Sequence, residues 1–254
     1  MFGLLAFCLL TSASAIWLPG SRDTDMPCHK HPVIESRAAT TTMTNGSTIL
    51  YGTVGNMIWD ASGVLAKGCN TSTISNCYNM YLTSNASAML DTAHLDSPRQ
   101  RNEWHFPTVS SGKPFSYSWK QYLDLSTGSS IHFFHLMQVF GIPENGPIVA
   151  LDALSGSLKI VDSTNTSCGS LLCPSTPLSN YLGVYTTHLI SGTFGPSGSL
   201  SYTVTGPSGK ILSYSRKGGL GAGAGYIKFG TYRLTFTPNM TVVNTMVGDW
   251  QTYL

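Results

Sequence analysis

Apolar and polar residues alternate with period two in many short stretches of this chain. The clearest is Tyr226–Arg233, Y-I-K-F-G-T-Y-R. Successive side chains of a strand point to opposite faces, so Tyr226, Lys228, Gly230 and Tyr232 share one face. Ile227, Phe229, Thr231 and Arg233 share the other. One side is mostly apolar and suits burial. The other lays two phenols and an ammonium along what reads as the floor of a polar groove, with glycine leaving room between them. An ordinary sandwich strand with an exposed tyrosine row is the plainer reading of the same pattern.

The same period recurs at Arg101-Asn102-Glu103-Trp104-His105-Phe106, where Arg101, Glu103 and His105 share a face and Trp104 and Phe106 take the other. A solvated edge carrying an Arg–Glu pair would look alike. Phe115–Lys120 alternates too. Ile131–Gly141 reads as a long apolar strand interrupted by His132, His135 and Gln138. An amide in such a run needs a partner or a ligand. Strict parity puts His132 with Gln138 and turns His135 to the other face unless a bulge intervenes, so a core histidine bonded to a backbone carbonyl is expected there.

A turn at Pro143–Pro147 precedes a hairpin of Ile148–Leu151 and Ser157–Val161. Strands are expected at Gly183–Ile190, Gly198–Thr205 and Lys210–Tyr214. Gly218–Gly225 reads as a lid or crossing loop; with no Lys-Ser/Thr and no helix after it, it is not a phosphate loop. Residues 16–45 read as irregular, 66–88 as a stapled loop, and the end of the chain as a short strand at Thr241–Val243 with a tail. No amphipathic helix longer than about two turns stands out. Many short strands between Gly/Pro turns predict an all-β sandwich or barrel.

Composition narrows the setting. The first 15 residues end a short apolar run in Ala13-Ser14-Ala15, the signature of a signal peptide, which predicts a secreted protein of one domain over residues 16–254. The run is too short to span a bilayer. A formal net charge of +2 argues for neither nucleic acid nor an anionic membrane as partner. Sequons at Asn45, Asn70, Asn85, Asn165 and Asn239 mark expected surface positions. Once Cys8 leaves with the signal, the economical pairing of the cysteines is Cys69–Cys77 and Cys168–Cys173, with Cys28 odd. Cys28-His29-Lys30-His31 is expected to be a surface loop rather than a metal site.

Three of these strands together resemble the β-jelly-roll polysaccharide lyases. Family 7, the alginate lyases, carries R-S/T-E-L-R, Q-I-H and Y-F-K-A-G-x-Y-x-Q. Here Arg101–His105, Gln138-Val139-Phe140 and Tyr226–Tyr232 stand in those places, in that order, within residues 97–240. Secreted fungal glucuronan lyases are similar in size and fold. The resemblance implies a concanavalin A-like sandwich of two antiparallel sheets with a concave groove. It also implies eliminative cleavage beside a uronic acid in an acidic polysaccharide. That reaction needs a neutralised carboxylate, a base for the C5 proton and an acid for the leaving oxygen. The resemblance gives Arg101 and Gln138 to the carboxylate and Tyr232 to the acid, with Glu103 orienting Arg101. Lys228, Tyr226 and His132 join them as substrate-binding residues. Phe140 replaces the family's histidine, so His105 becomes the first candidate base and His132 the second; Leu234 replaces the final glutamine.

No cofactor is expected. The likeness to glucuronan lyases allows a structural calcium, although no ligand cluster in the sequence demands one. A monomer is expected. Two rivals share the fold. A glycoside hydrolase would need two facing carboxyls, and no second one is visible on the face of Glu103, although Asp152 could supply it. A carbohydrate-binding sandwich would need only the aromatic groove.

Overall fold

The structure, a computed structural model, describes residues 41–94, 96–143, 146–163 and 173–253. The signal peptide, Cys28, the His29–His31 tract, Cys168 and Asn165 lie outside them.

Sixteen strands, numbered in chain order, form two eight-stranded sheets, antiparallel throughout. The first sheet runs β1 (Thr41–Asn45), β4 (Val64–Lys67), β5 (Cys77–Leu82), β16 (Val243–Thr252), β7 (Pro114–Leu123), β12 (Tyr185–Thr193), β13 (Ser199–Gly206) and β14 (Gly209–Lys217). The second runs β11 (Ser175–Pro177), β10 (Ser157–Asp162), β9 (Pro147–Leu154), β8 (Phe134–Gly141), β15 (Gly225–Leu234), β6 (Arg99–His105), β3 (Met57–Ala61) and β2 (Leu50–Val54). This is the expected jelly-roll sandwich. The glycine-rich segment after β14 carries the chain from the first sheet to the second, with Leu220 fully buried and bridged to Gly195.

The apolar parity of each strand forms the core. Ile227 and Phe229 of β15 and Trp104 of β6 are fully buried, facing Trp119 of β7. Phe229 stacks on Trp119 at 4.7 Å, and Phe106 lies parallel to Tyr117 at 3.9 Å. Such ring pairs contribute about 1 kcal/mol each beyond the area they bury.

Three expectations change. Residues 41–45 are a strand rather than irregular chain. The loop stapled by Cys69–Cys77 is real but ends in β5, whose Tyr78, Met80 and Leu82 are buried. Its alternation hides behind Cys77 and Asn79. The expected tail is β16, a ten-residue strand between β5 and β7, whose Val243, Thr245 and Val247 face inward. At the other expected strand, Ile131 is 81% exposed and β8 begins at Phe134.

One irregularity matters most. Between Phe229 and Tyr232 the β8–β15 register shifts, so that Gly230 and Thr231 oppose Leu136 alone. The bulge frees the Gly230 carbonyl, which accepts a hydrogen bond from Gln121 Nε2 of the opposite sheet at 3.1 Å. Gly230 has φ +136°, and a Cβ there would sit 2.3 Å from the Asn102 carbonyl oxygen. Gly230→Ala should therefore lower stability by about 2 kcal/mol or more, read as a fall in the midpoint of urea unfolding. An unchanged midpoint would show that the bulge tolerates a side chain.

Candidate active site

The outward faces of β3, β6, β15, β8 and β9 meet in register. One row reads Ile58, His105, Lys228, Gln138, Ala150. A second pairs Asp60 with Glu103 and Gly230. A third reads Arg101, Tyr232, His135, Asp152 and, on β10, Lys159. Of the residues expected at the site, Arg101, Glu103, His105, Gln138, Tyr226, Lys228 and Tyr232 share this face. His132 is not brought in among them. It precedes β8, its backbone N–H donates to Ser130 Oγ, and its ring meets Phe236.

His135 reverses its expected orientation. Two shifts of register flank Leu136, one against β15 and one against β9. Leu136 and Met137 both point into the core, at 1% and 0% exposure, and His135 and Gln138 both face outward. The parity that assigned His135 to the core assumed an unbroken pleat. Its ring instead lies 5.8 Å from that of Tyr232 and stacks on Phe133. His135 Nδ1 is 2.5 Å from Asp152 Oδ1. An ionised carboxylate only accepts, so Nδ1 carries the proton and Nε2 presents a lone pair. His105 stands four residues beyond Arg101 along β6, about 13 Å at the rise of a strand. It packs against Tyr226, 5.6 Å between rings. Burial pulls the His105 pKa down to about 4, with Lys228 and Arg101 assisting and Asp60 opposing.

Tyr232 is flanked by two guanidinium groups. Arg99 Nη1 donates to its Oη at 2.8 Å, and Arg101 lies over its ring at 4.3 Å. Arg99 therefore fills one acceptor site of the phenol and leaves its proton free for another oxygen. Where the family resemblance places a histidine, Phe140 lies parallel to Tyr226, 5.3 Å away.

The remaining charges form one buried cluster. Arg101 Nη1 reaches Asp60 Oδ2 at 2.6 Å, and its Nη2 reaches Asp91 Oδ2 at 2.7 Å. Lys228 Nζ lies 3.2 Å from the same Asp60 oxygen and 3.7 Å from Glu103 Oε2. Gln138 Nε2 donates to Glu103 Oε1. The two donors expected for a uronate carboxylate, Arg101 and Gln138, thus already bond carboxylates of the protein. Burial raises the Asp60 pKa, but Lys228 and Arg101 outweigh it and hold it low. For Glu103 burial prevails over those same cations, aided by Asp60, and its pKa is raised. Burial would lower Lys228 and Arg101, yet Glu103 and Asp60 keep both raised.

Asp60 and Arg99 escaped the sequence reading. Asp60 lies opposite Glu103 on the neighbouring strand and supplies a second carboxylate on that face, where none was visible in the sequence. Of the seven buried side-chain atoms without a hydrogen-bond partner among the described residues, four belong here: Asp60 Oδ1, Arg101 Nε, Glu103 Oε2 and Gln138 Oε1. Unpartnered buried atoms concentrate where function rather than packing sets the arrangement. Among the described residues no group of three or more His, Cys, Asp or Glu could hold a metal ion.

Solved structures share this fold. The endo-β-1,4-glucuronan lyase of the fungus Trichoderma reesei matches with a TM-score of 0.53 at 9% identity, over 85% of this chain and 95% of that one. Family 7 alginate lyase A1-II′, solved with substrate, matches with a TM-score of 0.51 at 15% identity, over 70% of this chain and 78% of that one. No protein-family model and no curated protein matches the sequence. The chain therefore has the jelly-roll fold of these polysaccharide lyases.

The opposed pKa shifts carry a testable sign. A carboxyl whose pKa is raised by folding adds stability below its unfolded pKa, near 4.3, and loses it as pH rises through the folded value. Asp60, with its pKa lowered, behaves in the opposite way. Glu103→Gln removes the first dependence, so its stability relative to the parent should improve as pH rises above about 4, until the raised pKa of Glu103 is passed. Urea unfolding across that range measures it; a difference independent of pH would place the Glu103 pKa at its ordinary value.

Proposed function

We propose that this protein is a secreted polysaccharide lyase that cleaves a uronic-acid-containing polysaccharide by β-elimination. The observation that carries the reading is the pairing of Tyr232 with an Asp152-oriented His135 on the open face of a lyase-type sheet. In this reading His135 Nε2 takes the C5 proton. Asp152 holds the ring and stabilises the imidazolium that forms. Tyr232 gives its proton to the glycosidic oxygen, with Arg99 and Arg101 offsetting the charge that develops on the phenol. The cluster around Arg101 and Lys228 supplies the field that offsets the uronate carboxylate, and His105 and Tyr226 extend the binding surface along β6 and β15. The Cys69–Cys77 disulfide supports an oxidising destination, in keeping with the expected signal peptide.

Glycoside hydrolysis is the second reading, and one observation favours it. Asp60 and Glu103 are adjacent carboxyls with pKa values pushed apart, the usual signature of an acid and a base. Their burial argues against it, since they are 5% and 3% exposed and bonded within the cluster.

Absorbance near 235 nm separates the readings, with the protein offered uronate-containing polysaccharides from homopolymers to heteropolymers. The expected result is a rise from the new C4–C5 double bond on at least one of them. New reducing ends without absorbance would make it a hydrolase, and binding without either a carbohydrate-binding protein. Tyr232→Phe and His135→Asn should each cost about 10²–10⁴ in kcat, with unfolding midpoints near the parent's. If His105→Asn costs as much and His135→Asn nothing, the base is His105.

A further inference from the structure

The charge on the groove face is balanced. Among the described residues, Arg99, Arg101, Lys228 and Lys159 stand against Asp60, Asp91, Glu103 and Asp152. Within this set Asp60 takes bonds from both Arg101 and Lys228. A carboxylate of the protein thus sits where a polyanion's carboxylate would otherwise be drawn. Burial raises the Glu103 pKa, which tilts this balance toward positive charge without opening room for more than one substrate carboxylate.

Around the cluster, the described residues of the face are uncharged apart from Lys159 on β10. Toward β2 stand Tyr51, 61% exposed and opposite Asp60, and Ile58, 38% exposed and opposite His105. Toward the end of β15, Tyr226 lies on Phe140. On the other side, a hollow of about 360 Å³ opens beside His135, lined by Pro147, Ala150 and Val161 among others. A run of uronates would place a carboxylate at each neighbouring position, against aromatic and aliphatic surface where, among the described residues outside the buried cluster, Lys159 alone could meet one. Taking an unpaired charge to such a surface is unfavourable. The C–H faces of neutral pyranoses suit these rings and the hollow, because they bury apolar area without stranding a charge.

We propose that the polymer cut here carries isolated uronates, each flanked by neutral sugars, rather than an unbroken run of uronates. This rests on the lyase reading and names its substrate class. His135 takes the C5 proton, the uronate's C4–O4 bond breaks as the C4–C5 double bond forms, and the neighbouring neutral sugar departs with the bridging oxygen, which receives the proton of Tyr232.

The test compares rates at 235 nm on gellan and hyaluronan, where neutral sugars flank each glucuronate, with glucuronan and polymannuronate, where every sugar is charged. The expected kcat/KM is at least about tenfold higher on a heteropolymer, the size of one uncompensated charge near a protein surface. Val161→Lys, which puts a cation in the hollow, should raise turnover of glucuronan. Equal or faster cleavage of glucuronan or polymannuronate would overturn the inference and leave the lyase standing. Absence of absorbance on every polymer would remove the lyase reading, and this one with it.

Discussion

The break in register between β8 and β15 is the constraint on which the site depends. A regular pleat would send His135 into the core and leave Tyr232 without a nitrogen base beside it. Two residues opposing one turn the histidine outward and bring it to 5.8 Å from the phenol. The bulge exists because Gly230 adopts a positive φ in a space closed by the backbone of β6. It persists because Gln121 satisfies the carbonyl that the ladder abandons. A single glycine and a single amide therefore decide which side chain can act as base.

Electrostatics forms a second layer on that geometry. Buried charge is unfavourable unless paired, and the cluster pairs each cation with a protein carboxylate. Asp60 is the hub, shared by Arg101 and Lys228 from two neighbouring strands. This sharing fixes both long side chains and leaves the groove close to neutral before any ligand arrives. Glu103 absorbs the mismatch, because its carboxyl is the one that burial favours keeping uncharged.

The sandwich and the groove face were legible because period two survives in β6 and β15, the strands that carry the most chemistry. Trp104 and Phe229 inward, Glu103 and Lys228 outward, follow from parity alone. Parity failed at His135, where one extra residue inverts the pattern and leaves no trace in residue type. It also passed over β5 and β16, whose pattern is blurred by Tyr81 and Met246 on the outward parity, by Thr245 on the inward one and by a cysteine that serves the staple. Asp60 was hidden for another reason: one carboxylate in an apolar strand reveals nothing until the strand beside it is known. Neighbour relations between strands distant in sequence are long-range information that local pattern does not hold.

The hydrogen bond from Gln121 to Gly230 crosses the whole thickness of the sandwich. The first sheet thus clamps, from behind, the spot where the register of the second sheet breaks. Neither sheet can slide over the other without dragging the bulge, and His135 with it. The aromatic interior then acts as a gauge block that sets the spacing of Tyr232 and His135 on the outer surface. Residues such as Trp119 and Phe229, which never see a sugar, hold that spacing. Variation in the hidden core of this fold would be read out as altered chemistry well before it was read out as unfolding.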